Sequence, residues 1–250
     1  DLVRSRGLGD VYKRQKEYSA EDTLQWSEED AQNLRAYNCP SCGAQLIADK
    51  NTAATSCPYC GNPTIVPSQF SGALKPDYVI PFKMNKDEAI KKLTDFYGGK
   101  PLLPDAFKER NHIEDIKGVY VPFWLYDGTA DVDMAFRGTI SHSHREGDYT
   151  VTVTENYSIL RQGTVQFNRV PADGSSKMPD EFMDAIEPYN YNEMIPFEMG
   201  YMTGYLADRY DVTAEQDRNR VNTRMRTSSA DKIRETVRGY HTLLPRRSNI

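Results

Sequence analysis

CPSCG at Cys39–Gly43 and CPYCG at Cys57–Gly61 are two copies of one five-residue pattern, with fourteen residues between Cys42 and Cys57. Two residues between cysteines let a single tight turn aim both sulfurs at a shared ion. The glycine after the second cysteine permits a positive φ, so backbone N–H groups can turn towards the thiolates. Two such knuckles supply four sulfurs in a tetrahedron about 2.3 Å from Zn²⁺, a closed site with no open position. The spacer Ala44–Ser56 has room for a hairpin turning at Asp49-Lys50-Asn51. The spacing therefore predicts a zinc ribbon over 37–67, with one structural Zn²⁺ on Cys39, Cys42, Cys57 and Cys60. Iron on four thiolates remains the alternative metal, because the affinity order alone does not select zinc. Two disulfides would use the same cysteines, but a doubled C-P-x-C-G favours a metal and a reducing compartment. Redox chemistry at a CxxC needs one pair and a βαβ setting, which is missing around these two.

Outward from the ribbon, the chain divides by composition. Residues 1–15 have no helical or strand period and resemble translated adapter sequence, a non-native scar, with a genuine disordered basic arm as the alternative. Residues 16–36 form an acidic lead-in, with Ser27 and Asp30 as an N-cap signal for a short helix ending near Arg35. Residues 68–84 form a Pro/Gly/Ser-bearing connector. The remainder, 85–250, carries the signals of an α+β domain truncated at its C-terminus.

In that region Asn85 caps a helix with Glu88 at its third position and Ala89, Ile90, Leu93, Phe96 and Tyr97 as the apolar stripe. The period then changes to two. Gly128, Ala130, Val132, Met134 and Phe136 alternate with polar residues, and so do Tyr149, Val151, Val153, Tyr157 and Ile159. Strands with one wet face imply an antiparallel sheet. Gly163–Val170 predicts a further strand. Pro179 fits the first position of a helix with Phe182, Met183 and Ile186, stopped by Pro188. Met199, Met202, Tyr205 and Leu206 predict another helix. Thr213 with Gln216 opens a longer, sparsely apolar one towards Arg238, and Thr242–Ile250 offers one short strand. Strands followed by helices define the expected fold class as α+β, an N-terminal zinc ribbon followed by an antiparallel-sheet domain with helices.

Composition narrows the function. The 250 residues carry 31 Lys+Arg against 36 Asp+Glu, a net charge of −5, and 16 Tyr and 8 Met supply apolar bulk with polar handles. The longest apolar run, Val119–Tyr126, is far short of the roughly 18–20 residues of a membrane span. A sequence pI near 5.5 argues against a surface devoted to nucleic acid. His142 and His144 would share a strand face as a metal pair, though Ser-His-Ser-His-Arg-Glu-Gly-Asp fits an exposed tip between strands better. Asp127, Asp131 and Asp133 also share a face that could hold Ca²⁺, and a solvated face explains them equally well. His112 and His241 have no motif partner. Arg218, Arg220, Arg224 and Arg226 cluster on the late helix, where interleaved acids favour a solvated face over an anion-binding patch.

The run YNCPSCGAQLIADKNTAATSCPYCGNPTIVPSQFSGALKPDYVIPFK, Tyr37–Lys83, resembles bacterial transcription factor IIB-type zinc-ribbon proteins of unknown function. The strings NHIEDIKGVYVPFWLYDG (Asn111–Gly128), VPADGSSKMPD (Val170–Asp180) and GYLADRYDV (Gly204–Val212) look like the same family. Such proteins are often loosely labelled primosomal helicases or RNA-polymerase-like subunits. No G-x-x-x-x-G-K-[ST] loop occurs in this chain, which speaks against the helicase label. The resemblance implies structural zinc on Cys39, Cys42, Cys57 and Cys60. It also implies a further C-terminal strand segment and often a membrane helix, which would put the full-length protein on the cytoplasmic face of a membrane.

The expectation is thus a cytoplasmic, non-enzymatic, zinc-binding protein whose α+β domain meets a protein partner. The alternative is a nucleic-acid-binding accessory of transcription or replication machinery, using the ribbon and the Arg-rich helix. Tyr37–Pro67 holds one acid and one base, so counterion release would contribute little there.

Overall fold

The structure, a computed structural model, describes residues 25–52, 56–63, 65–68, 74–98, 100, 102, 104 and 116–250. In chain order its elements are α1 (Glu28–Gln32), β1 (Leu34–Asn38), β2 (Gln45–Asp49), β3 (Val66–Ser68), β4 (Tyr78–Val79), α2 (Lys86–Gly98) and β5 (Val119–Tyr120). Then follow β6 (Phe123–Glu146), β7 (Tyr149–Asp173), α3 (Asp180–Ala185), β8 (Ile195–Pro196), β9 (Leu206–Asp208), α4 (Ala214–Glu235) and β10 (Thr242–Asn249). The fold is α+β. It falls into two compact units, each discontinuous in sequence. Among the described residues one is built from Trp124–Ala172 and Ala214–Ile250, the other from those between Gln25 and Phe123 with Asp173–Thr213. The expected division into a ribbon at 37–67 and one domain over 85–250 follows sequence order, whereas contacts group the cysteine segment with residues 173–213.

The cysteine-bearing unit is organised on a five-stranded sheet ordered β3-β1-β2-β9-β5. The first knuckle joins β1 to β2, which pair antiparallel from Leu34↔Asp49 to Asn38↔Gln45. The hairpin therefore encloses the knuckle, with β1 as the partner of β2. The turn expected at Asp49-Lys50-Asn51 is present, with the Thr52 amide donating to the Asp49 carbonyl, while 53–55 lie outside the described residues. Beyond this hairpin, β9 adds to β2 through Leu46↔Asp208 and Ile47↔Ala207, and β5 adds to β9 in parallel. This explains the unbroken apolar run in β2. Leu46 and Ala48 pack on one face with Tyr37 and Leu206, while Ile47 packs on the other with Leu34 and Met202. A central strand covered on both faces reads as continuous hydrophobicity.

Several local expectations change here. The first helix stops at Gln32 because Leu34 and Arg35 enter β1. Met199–Met202 is a single 3-10 turn, and Leu206 belongs to β9 rather than to a helix, since pairing with β2 outweighs the apolar spacing. Pro179 sits at the N-cap of α3, which ends at Ala185 and buries Met183. The box at the start of α2 is present, with Glu88 N–H donating to Asn85 Oδ1 at 2.9 Å and Asn85 N–H to Glu88 Oε2 at 3.2 Å.

The second unit is a three-stranded sheet ordered β10-β6-β7 with α4 on one face. The strands expected at Tyr149–Ile159 and Gly163–Val170 are one continuous strand, β7. The core takes Val132, Met134 and Phe136 from β6, Ile159 from β7, and Ile233 and Val237 from α4 and the residues after it. On the helix Val221, Ser229 and Ile233 are buried at intervals of four or eight, a narrow stripe suited to packing on a twisted sheet. The strand expected within Thr242–Ile250 is β10, pairing antiparallel with β6 from Thr242↔Thr139 to Asn249↔Asp133.

Candidate metal centre

Each knuckle is the same turn made twice. The Cys39 amide donates to the Ala44 carbonyl at 2.9 Å and the Cys57 amide to Asn62 at 2.9 Å. Gly43 N–H returns to the Cys39 carbonyl and Gly61 N–H to that of Cys57, at 2.9 and 3.0 Å. Both glycines stand at φ +72°, the left-handed region that a Cβ disfavours. The turns leave the sulfurs converging from opposite sides.

All four Sγ atoms lie within 4.8 Å of one another. Across the knuckles, Cys39 Sγ is 3.6 Å from Cys60 Sγ, and Cys42 Sγ is 3.7 Å from Cys57 Sγ. A tetrahedron with metal–sulfur bonds near 2.3 Å has edges of about 3.8 Å, so these two already have the edge length a tetrahedral thiolate site requires. All four cysteines are free, with Cys39 and Cys57 buried, Cys42 partly buried and Cys60 exposed. Among the described residues this is the one group of three or more His, Cys, Asp or Glu that could hold a metal ion.

The thiols differ in acidity for identifiable reasons. Backbone N–H groups of Cys42 and Ser41 point at the Cys39 sulfur and lower its pKa to about 7, against an opposing effect of burial. Burial pushes Cys42 up to about 12 and raises Cys57. A neighbouring cation is what makes several thiolates tolerable in so small a volume.

The surroundings come from far along the chain. Lys177 Nζ donates to the Cys42 carbonyl at 3.3 Å and lies 3.9 Å from Asp211 Oδ2. Lys117 donates to the Ser56 hydroxyl, next to Cys57. Tyr59 and Ile65 pack against the buried cysteines. Burial first, then the Asp208 charge, pushes the Tyr59 phenol well above its ordinary pKa. Asp208, 5% exposed, accepts from the equally buried Ser175 hydroxyl, and its own carboxyl is raised by burial. None of Lys117, Ser175, Lys177 or Asp208 has a local signature. The carbonyls of Ala44 and Asn62 do: each lies five residues beyond the first cysteine of its repeat.

The weaker candidates do not assemble into a site. His142 and His144 are exposed and lie within β6, not at its tip, which is Gly147–Asp148. The His142 and His241 rings are 6.3 Å apart, and His241 Nδ1 accepts from the Ser141 amide at 3.0 Å. His112 lies outside the described residues. The three aspartates on the wet face have separate partners. Asp127 accepts from the Arg169 amide, Asp131 from the Thr164 hydroxyl, and Asp133 pairs with Arg247 at 3.1 Å. On α4, Arg218 pairs with Glu215 at 2.8 Å, Arg220 stands 4.0 Å from Asp217, and Arg224 donates to the Pro171 carbonyl at 2.7 Å.

The uncharacterized protein YdjG of Bacillus subtilis (strain 168) is 34% identical to this chain over 186 residues, 74% of the chain and 54% of that protein. The chain thus spans about half the length of the curated relative it matches. No protein-family model matches the chain, and no solved structure does. Among the described residues no helix is long and apolar enough to cross a membrane.

Proposed function

We propose that the chain is a zinc-ribbon protein of the transcription factor IIB-type family, holding one structural Zn²⁺ on Cys39, Cys42, Cys57 and Cys60. In this reading it acts without catalysis, as a scaffold for a protein partner in the cytoplasm. The observation that carries it is the convergence of four free sulfurs at cross-knuckle distances of 3.6 and 3.7 Å. Four protein thiolates fill a tetrahedral ion's shell, which suits a structural role, whereas catalytic zinc keeps a position open. Zinc on four thiolates has a formal charge of −2, and the ammonium groups of Lys117 and Lys177, one beside each knuckle, complement it. Free thiols maintained as ligands fit a reducing compartment.

Protein rather than nucleic acid is the favoured partner because three of the four clustered arginines of α4 are already engaged. Arg218, Arg220 and Arg224 have partners within the chain, and the ribbon is nearly uncharged. A salt titration against single- and double-stranded DNA is expected to show no binding even at low salt. Elemental analysis of the purified chain is expected to give one Zn²⁺ per chain. Replacement by Co²⁺ should give the visible bands of tetrahedral thiolate cobalt. Chelation is expected to unfold the cysteine segment while the sheet of β6, β7 and β10 keeps its circular dichroism. Sub-stoichiometric metal with oxidised cysteines, found by mass spectrometry, would sink the proposal.

A further inference from the structure

The three-stranded sheet has two free edges among the described residues, and they are built differently. On the β10 edge, Pro245, Arg246 and Arg247 accompany a break in register between Pro245 and Arg247. Proline, positive charge and a bulge are the usual devices that stop one sheet edge from pairing with another. The β7 edge has none of them over Tyr149–Leu160, YTVTVTENYSIL, which contains no Lys, no Pro and one charge, Glu155. Three residues of this stretch on the α4 side, Tyr149, Val153 and Tyr157, are 78%, 48% and 38% exposed, although Ile159 on the same face is in the core.

The backbone groups on that edge are identifiable. Gly147–Asp148 is the two-residue turn of the β6–β7 hairpin, so Glu146 and Tyr149 form its closing pair. The hydroxyl contacts Ser141–Thr154 and Ser143–Thr152, and the bond from Thr164 to Asp131, all fit that one register. Odd-numbered residues of β7 then direct their N–H and C=O groups to β6, and even-numbered residues direct theirs outward. Every even-numbered residue from Thr150 to Gln166 is exposed.

We propose that β7 pairs antiparallel with β7 of a second copy of this chain, about a two-fold axis at Ser158. That register puts the outward backbone groups of both strands into bonded pairs, Ser158 opposite Ser158. It also matches the odd-numbered side chains. Tyr157 meets Ile159, Val151 meets Val165, Tyr149 meets Phe167, and Glu155 meets Arg161, each pair occurring twice. These are non-bonded pairs, in which antiparallel side chains approach most closely. The stretch of one strand with exposed apolar residues is set beside the stretch of the other that α4 covers, around Ile159, Gly163 and Val165. The continuous sheet is then six-stranded, with the protected β10 edges outermost. A two-fold makes the contact isologous, so it closes at two copies rather than propagating.

Sedimentation equilibrium of the full 250-residue chain tests this, independently of the metal. The expected result is a dimer at micromolar concentration. Ser158→Pro removes an outward N–H at an edge position, where proline is tolerated, and should give a monomer with unchanged strand dichroism. Glu155→Arg turns two attractive pairs into repulsive ones and should weaken the dimer roughly tenfold. Glu155→Arg combined with Arg161→Glu restores both pairs in reversed order and should recover the native association. A native chain that stays monomeric overturns the proposal, as does a Ser158→Pro dimer as tight as the native one. Failure of the reversed pair to recover overturns the register.

Discussion

Replacing Gly43 or Gly61 by alanine isolates one physical cost. Both stand at φ +72°, and an added Cβ would meet no atom within 4 Å at either position. Steric crowding by neighbours therefore contributes nothing, and the whole penalty is that of holding an L-residue in the left-handed region, about 1–2 kcal/mol. The turn is required for the sulfurs to converge, so the penalty falls on metal binding as much as on folding. At 1.4 kcal/mol per decade it corresponds to roughly 5- to 30-fold weaker affinity. Gly43→Ala and Gly61→Ala should match each other, because their φ values and free space are the same. Asparagine, which tolerates this region better than alanine, should recover part of the loss at both. Competition of Co²⁺-loaded protein against a chromophoric chelator measures all four variants. Alanine variants that bind as tightly as the native chain, or asparagine variants weaker than alanine, would refute the reasoning.

In the second unit's core, Phe136→Ala should cost about 3–5 kcal/mol by urea denaturation, since the ring is 1% exposed and packed on all sides. Ser229→Ala should go the other way, by up to about 1 kcal/mol, because the Ser229 hydroxyl is fully buried without a hydrogen-bond partner; a destabilised alanine variant would count against this. Burial holds the Asp208 carboxyl above its unfolded pKa, so the folded state binds the proton more tightly. Its contribution is then complete below about pH 4 and is lost as pH rises through the folded value. The urea midpoint of Asp208→Asn should lack that decline, and parallel pH curves for the two proteins would exclude it. Metal uptake near neutral pH should release protons, at least from Cys42 and Cys57, whose thiols burial raises. Calorimetry in buffers of different ionisation enthalpy counts them, and an enthalpy independent of buffer would contradict the assignment.

What was legible in the sequence was whatever depends on short-range geometry. The knuckles could be read because C-P-x-C-G encodes a turn within five residues, and the Asn85–Glu88 box because its two bonds span three. The alternation of Val132, Met134 and Phe136 could be read because a strand's side chains obey a period of two whatever lies opposite. Leu206 shows where this fails. Its apolar spacing with Met199 and Met202 suits a helix turn, but the deciding partner is Ile47 of β2, bonded to the next residue across more than 150 positions. That pairing also ties the cysteine-bearing hairpin into a larger sheet. A ribbon standing alone would leave one face of β2 open to water, whereas here Leu46 and Ala48 pack on one side and Ile47 on the other. The unbroken apolar triplet was thus the available signal that β2 is central in a larger sheet. Cysteine spacing locates the candidate metal site in the sequence, and Tyr59 and Ile65 beside the buried cysteines are local too, but Lys117, Lys177 and the Asp208–Ser175 pair come from far along the chain. Lys177 reaches the Cys42 carbonyl, and Asp208 and Ser175 reach Tyr59 between the second pair of cysteines, although all three lie more than 100 residues beyond the last cysteine.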